Sequence, residues 1–509
     1  MDAEIHVWDR VPRHEAAQGG HKIVGTRWVY VDKGDQVRCR LVAQEFAGSE
    51  KREDLYAGTP PLSATRYLLS NTASRGRSYG VPPSRKLMVL DIKRAFLHGQ
   101  VTRTIHVELP EEESEGGRYV GRLVKTLYGT RDAPVAWQRV VKSDMARLGF
   151  DECRMTTGVY IHRDRDLRVV THVDDFLVAG EAQHLKWLRD ELGKTYELKV
   201  QIAGWQPGDA REVSFLGRTI RLSNTGIEIE GDDKHVKGLI EEWQMQECKP
   251  VSTPYDKSSN ADDGSNAERP PMSPKDTTLF RRAAARLNYV ALDRPDLSFS
   301  SRVAVGKMSK LLEGDDVLIK RVIRYLQGKP RVSLFYGFQE PDPDIVVMTD
   351  SDWGGDRITR RSTSGGVVLN GTHTILWWCK LQSTIALSSC EAELNASLKG
   401  AKEGLCAQGI AQYFGDDPNL ELKTDASAAR GVIMRQGVGQ IRHLHIKQLW
   451  LQEKVLRGDL IITKFPRSEN WSDALTHPWT AADIPFWNAM GLRFIPPPIQ
   501  SPHWTSREA

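Results

Sequence analysis

The chain has 509 residues, more than one hydrophobic core usually supports, so several domains are expected. Its composition, 40% hydrophobic and 27% charged, is ordinary for a soluble globular protein; no run of about 18 apolar residues suggests a membrane span, and MDAEIHVWDR has acids where a signal peptide would be basic and then apolar. The net charge of +4 admits a nucleic-acid partner without requiring one, and six scattered cysteines, none in a CxxC pair, argue against a zinc knuckle or disulfide framework and fit a reducing compartment.

Residues 1–20 are polar and are predicted to be loosely held. From 21 to about 180, strand-like KIVGTRWVYV, LMVLDI, IHVEL and RVVTHV mix with helical SATRYLLSNTAS and APVAWQRVVKSDMARLGF. VSFLGRTIRLS and GIEIEG read as a further strand pair, and DDKHVKGLIEEWQMQE as an amphipathic helix, which carries this α+β region to about 255. The stretch 251–276 is rich in Ser, Asp, Asn and Pro and reads as a linker, assigned to 256–276. A helical segment over 277–343 follows, with FRRAAARLNYVAL and VLIKRVIRYLQG as its strongest patterns. A second α+β unit spans 344–477, and a Pro- and Trp-rich tail over 478–509 has no readable site.

VVTHVDDFLVAG at 169–180 is two β-branched runs meeting at Asp174 and Asp175, a hairpin with acids at its tip. An adjacent Asp pair in a turn is by itself ordinary. LMVLDIKRAFLHG, however, delivers Asp91 at the end of another apolar strand. Alone, Asp91 reads as a strand-end cap or a partner for Lys93. Together, three carboxylates from two strands suit two-metal nucleotidyl transfer. Basic residues cluster at Arg38 and Arg40, and at Arg357, Arg360 and Arg361; each cluster reads equally as solvated surface or as nucleic-acid contact.

In the second unit IVVMTDSDWGG ends a strand with Asp350 and Asp352 on one face. SSCEAELNAS opens a helix in which Ser388 and Glu391 fit a capping box, leaving Glu393 as the candidate ligand. KTDASAA supplies Asp425 and NWSDALTH supplies Asp473. Four acids brought together would repel one another unless cations neutralise them, as in two-metal hydrolysis of a phosphodiester.

The order and spacing of LDIKRAFLHG, THVDDFLVAG, KTLYGTRDAPVAWQ, KIVGTRWVYV, RCRLVAQEF and CKPVSTP closely resemble the reverse transcriptase of copia-type LTR-retrotransposon Pol polyproteins. DSDWGGDRITRRSTSGGVVL and STIALSSCEAELNASLKGAKE resemble the RNase H of the same family. The resemblance implies an α+β multidomain chain, a right-hand polymerase fold of fingers, palm and thumb followed by an α/β RNase H-like fold. It implies RNA- and DNA-templated DNA synthesis, and cleavage of RNA in RNA–DNA hybrids. Asp91, Asp174 and Asp175 would be one metal-binding catalytic set, and Asp350, Glu393, Asp425 and Asp473 the other. Each would hold two ions, Mg²⁺ or Mn²⁺.

By the same resemblance Phe96 would be a steric gate against ribonucleotides, though plain core packing would equally explain that ring. Arg38 and Arg40 would approach the triphosphate, Tyr128 and Gly129 would line the nucleotide pocket, and His443 would assist proton transfer or product release. The implied partners are RNA template, DNA primer, RNA–DNA hybrid, deoxynucleoside triphosphates and other Pol or Gag products, with no membrane. The implied setting is a cytoplasmic virus-like particle with nuclear access. Two departures stand out. His172 replaces the family's Tyr before Val-Asp-Asp, and His445 and Leu449 replace its Asp and His after His443. They leave open a second reading, a decayed copy that binds nucleic acid without turnover.

Overall fold

The computed structural model describes residues 5–18, 22–32, 34, 37–46, 55, 57–74, 84–256, 269–437, 439 and 446–495. The chain divides into two compact units, one drawn from residues 1–61 and 86–202, the other from 62–85 and 203–509. Both mix helices and sheets, as the expected α+β multidomain class requires.

The first unit is built on a six-stranded sheet in the order Leu198–Ala203, Lys86–Ile92, Asp175–Gly180, Leu167–His172, Val159–His162, Asp151–Glu152. The helices Ala133–Arg147 and Ala182–Gly193 share one core with it, in which Trp137, Val141, Leu185 and Leu188 meet Met88, Leu90, Phe176 and Val178. A four-stranded sheet and the hairpin Thr26–Asp32/Val37–Ala43 complete the unit. The N-terminal stretch departs from its expected looseness. Trp8–Pro12 pairs with Tyr119–Leu123, because the Trp8 ring fills the space that Gly121 leaves open and Arg10 and Arg13 pair with Glu115 and Glu108.

The second unit holds two five-stranded sheets. One runs Glu212–Phe215, Arg218–Ser223, Gly226–Gly231, Arg331–Gly337, Leu492–Ile495; the other runs His373–Leu381, Thr363–Asn370, Asp344–Ser351, Asn419–Thr424, Ile461–Lys464. In the latter the first three strands are antiparallel and the last two parallel to Asp344–Ser351, with the long helix Ser389–Tyr413 against them.

The boundaries differ from those expected in three places. The helix Leu62–Ser74, read with the polymerase half, packs in the second unit. It is buried on every side except at Leu62, so it has no solvent face and needs cover all round. Its Arg66 lies 3.9 Å over the Trp377 ring, and Tyr67 and Asn71 donate to Asp416 at 2.8 and 2.7 Å. The strands from Glu212 to Gly231 also belong to this unit, being hydrogen-bonded to Arg331–Gly337. The tail is folded over 478–495: Trp479 and Trp487 are buried against one another, and Leu492–Ile495 adds an edge strand. The linker positions 257–268 and the last residues, 496–509, lie outside the described residues.

Candidate active sites

The hairpin Leu167–Gly180 turns through Val173 and Asp174, with His172 opposite Asp175. Val173 takes φ +60°, a left-handed value that suits a two-residue hairpin turn but costs a β-branched side chain. The Trp137 indole N–H donates to the Val173 carbonyl at 2.6 Å and fixes that strained tip from the helix beneath. Asp175 in turn lies directly opposite Asp91 on the neighbouring strand, and the Ile92 N–H donates to the Asp174 carbonyl at 3.0 Å. The three expected acids therefore converge at one strand end, all half-buried. Burial first, and then the neighbouring carboxylates, raise Asp174 above its ordinary range and push Asp175 to about 6. Lys93 does not serve Asp91; with Arg94 it pairs with Glu197.

The basic and aromatic residues expected around these acids are there too. Arg38 and Arg40 act electrostatically on Asp174, and the Arg40 guanidinium lies 5.1 Å from the centre of the Tyr128 ring. Phe96 meets Tyr128 edge to face with centroids 5.2 Å apart, half-buried rather than sealed in the core. The Ala43 N–H donates to the Tyr128 carbonyl at 2.7 Å. Next to it Gly129 has φ +86°, and a Cβ there would fall 2.0 Å from the Ala43 carbonyl oxygen. Only glycine lets this loop close on the hairpin Thr26–Asp32/Val37–Ala43.

In the second unit Asp350 stands near the end of the central strand. The parallel pairing Met348↔Lys423 brings Asp425, just past the next strand, level with it. The helix Ser389–Tyr413 approaches closely because small residues line its inner face: a Cβ on Gly400 would meet Thr349 at 2.4 Å, and one on Gly404 would meet Leu420 and Val347 at 2.7 Å. That approach sets Glu393 over Asp350. One carboxylate oxygen each from Asp350, Glu393 and Asp425 lies within 4.8 Å of the others. Burial and the two Asp carboxylates push Glu393 to about 9; burial, with Asp473 and Asp425 nearby, pushes Asp350 to about 6. Glu393 Oε1 accepts from the Ser351 N–H at 3.1 Å, while its buried Oε2 has no partner among the described residues. An orphaned carboxyl oxygen among crowded acids fits a divalent cation, which would displace the proton that crowding otherwise retains.

Glu391 behaves as a capping residue. Ser388 accepts from the Glu391 N–H at 3.2 Å, and the Glu391 carboxylate reaches back to the Leu387 N–H at 2.8 Å. Asp352 accepts from the Thr363 N–H and shapes the following loop.

Asp473 is near this cluster but outside the three-carboxylate group. It is held by Arg467 at 3.0 Å and lies 3.7 Å from His477, which also reaches Asp483 at 3.4 Å. Sequence reading missed His477 and Asp483; the signal was the i,i+4 spacing of Asp473 and His477. It also missed Trp137 as the hairpin anchor. Gly365, opposite Asp350, makes room for the 472–476 turn, since a Cβ there would meet the Ser472 carbonyl at 2.8 Å. Thr476 from that turn donates to Asp350. His443 lies outside the described residues.

Residues 7–257 match the family model described as reverse transcriptase (RNA-dependent DNA polymerase). The retrovirus-related Pol polyprotein from transposon RE1 of Arabidopsis thaliana is 26% identical over 522 residues, 98% of this chain and 33% of that protein. The corresponding polyprotein from transposon TNT 1-94 of Nicotiana tabacum is 27% identical over 484 residues, 90% of this chain and 34% of that protein. The chain thus spans about a third of the length of these relatives. A foamy viral protease-reverse transcriptase solved with RNA/DNA hybrid aligns over 87% of this chain and 50% of that chain, at 12% identity and a TM-score of 0.49.

Proposed function

The chain belongs to the reverse transcriptase family of copia-type retrotransposon Pol polyproteins, and on that premise we propose that it copies RNA and DNA templates into DNA and cleaves the RNA of RNA–DNA hybrids, each by two-metal phosphoryl transfer. The observation that carries this reading is that each unit gathers its own carboxylate set, Asp91–Asp174–Asp175 in the first and Asp350–Glu393–Asp425 in the second. Two divalent cations, Mg²⁺ or Mn²⁺, bound in each set would neutralise the carboxylates, activate an oxygen nucleophile and stabilise the leaving oxygen.

The protein's own part is positioning. In the first site Arg38 and Arg40 offer guanidinium forks to a deoxynucleoside triphosphate. Tyr128 and Phe96 wall the sugar pocket, with Phe96 placed to exclude a 2′-hydroxyl, and Gly129 lets the loop beneath them close. His172, at the hairpin end, faces the primer strand. In the second site Glu393, Asp350 and Asp425 would hold the cations that the reacting phosphodiester approaches, and Asp473, steadied by Arg467 and His477, adds negative charge at their edge.

The test is primer extension on a homopolymeric RNA template in Mg²⁺ and in Mn²⁺, with Asp174→Asn as control. Extension by the wild type and none by the variant is the expected result. No extension in either metal by folded, hybrid-binding protein favours the decayed-copy reading.

A further inference from the structure

The carboxylate cluster of the second unit would repel a phosphodiester backbone, so a duplex needs a grip elsewhere to reach it. The connection between the strands Asp344–Ser351 and Thr363–Asn370 begins directly after the cluster's strand. It is held in shape from within: Gly354 N–H donates to the Ser362 hydroxyl at 3.0 Å, Arg360 N–H to the Asp356 carbonyl at 2.7 Å, and Thr359 N–H to the Asp356 carboxylate at 2.8 Å. From this rigid loop Arg357, Arg360 and Arg361 project into solvent, and among the described residues none of their guanidinium groups has a hydrogen bond or ion pair.

Two large apolar side chains of the same loop are also exposed, Trp353 at 61% and Ile358 at 71%. The Trp353 indole N–H is already spent on the Ala386 carbonyl at 3.1 Å. That bond ties the loop to the segment leading into the Glu393 helix, where Ile385 and Leu387 stand exposed as well. With its polar atom engaged, the Trp353 ring offers a partner only an apolar face. Exposed apolar groups beside free cations match a sugar–phosphate backbone, apolar on its sugar faces and anionic at its phosphates.

We infer that this loop is a grip for RNA–DNA hybrid. Trp353 and Ile358 pack on sugars, Arg357, Arg360 and Arg361 hold flanking phosphates, and the strand is thereby led into the Asp350–Glu393–Asp425 cluster. The inference rests on the hybrid-cleaving reading above and adds the surface that seats the substrate.

The experiment uses the full chain. Hybrid binding is measured in EDTA as a function of salt, and hybrid cleavage is measured in Mg²⁺ for KM and kcat. The variants are Arg357→Ala/Arg360→Ala/Arg361→Ala, Trp353→Ala and Trp353→Phe. The triple variant lowers the slope of log affinity against log salt by about 2 to 3, one counterion equivalent per lost phosphate contact. Trp353→Ala leaves that slope alone and raises KM about tenfold with little change in kcat, as loss of packing on a sugar or base would. Trp353→Phe keeps most of the affinity, and it decides the role of the ring if Trp353→Ala does not fold. Unchanged slope and unchanged KM overturn the grip even where the wild type cleaves hybrid. Where the wild type does not cleave, the cleavage reading fails separately, and the salt slope alone decides whether this surface binds.

Discussion

Asp91 and Asp175 face each other across two antiparallel strands, a direct register pair at the end of the first unit's sheet. Their separation along the chain is closed by strand pairing and not by any local motif. The position of the pair therefore depends on how the hairpin tip is held, and that places weight on residues bearing no charge.

Trp137→Phe removes the indole donor to the Val173 carbonyl while keeping a buried ring. Leaving that hydrogen bond unmade beside a strained turn costs about 1 to 3 kcal/mol. We expect primer extension to fall about tenfold as the tip loosens, with hybrid cleavage unaffected. Steady-state extension kinetics beside a hybrid-cleavage assay check this; equal loss of both activities would point to global unfolding instead.

Gly129→Ala forces a Cβ against the Ala43 carbonyl at a positive φ. The loop must then move away from the strand Val37–Ala43, at a cost of more than ~1 kcal/mol. The expected outcome is a raised KM for deoxynucleotides, since Tyr128 moves with Gly129. An unchanged KM would mean that Tyr128 does not line the nucleotide pocket.

Phe96→Val shortens the ring that meets Tyr128 edge to face. We expect the ratio of ribo- to deoxynucleotide incorporation to rise by about a hundredfold, on the scale of a steric block removed from one hydroxyl. A ratio that stays put while stability falls would return Phe96 to the core-packing role that its sequence position also allowed.

Glu393 and Asp350, pushed to about 9 and about 6, ionise less readily in the folded chain than when unfolded. The metal-free cluster therefore holds more protons folded than unfolded, and above about pH 6.5, where buried His373 is neutral in both states, its contribution makes stability fall as pH rises toward 9. Melting temperature should decline from about pH 6.5 to 9 without metal. Glu393→Gln should flatten the decline while abolishing hybrid cleavage. Mg²⁺ or Mn²⁺ should raise the melting temperature most at the alkaline end, where the carboxylates are ready to bind. A metal-free melting temperature that rises with pH would contradict this account of the cluster.

What was legible in the sequence was what short-range pattern dictates. The β-branched runs around Asp174 and Asp175, the apolar strand before Asp91 and the Ser388–Glu391 cap each fix a local geometry, and the first two bring Asp91, Asp174 and Asp175 to one strand end. Arg38, Arg40, Phe96 and Tyr128 also gather there, on the strength of family resemblance rather than spacing. Tertiary choices were hidden. The helix Leu62–Ser74 carries no sign that it will pack beside Trp377 in the second unit, because an all-round buried helix reads the same wherever it docks. Trp8–Pro12 looked loose because its stabilising partners, Gly121, Glu108 and Glu115, lie about a hundred residues away. Asp473 was read as an equal fourth ligand; its capture by Arg467 and His477 depends on a tight turn that no periodicity announces.

The central claim, that two separate acid sets sustain two separate reactions, is tested most directly by Asp174→Asn and Asp350→Asn, each assayed in the full chain for both primer extension and hybrid cleavage. The account predicts that Asp174→Asn loses extension by about a hundredfold or more and keeps cleavage, and that Asp350→Asn does the reverse. Loss of both activities with either substitution, in protein that remains folded, would contradict it.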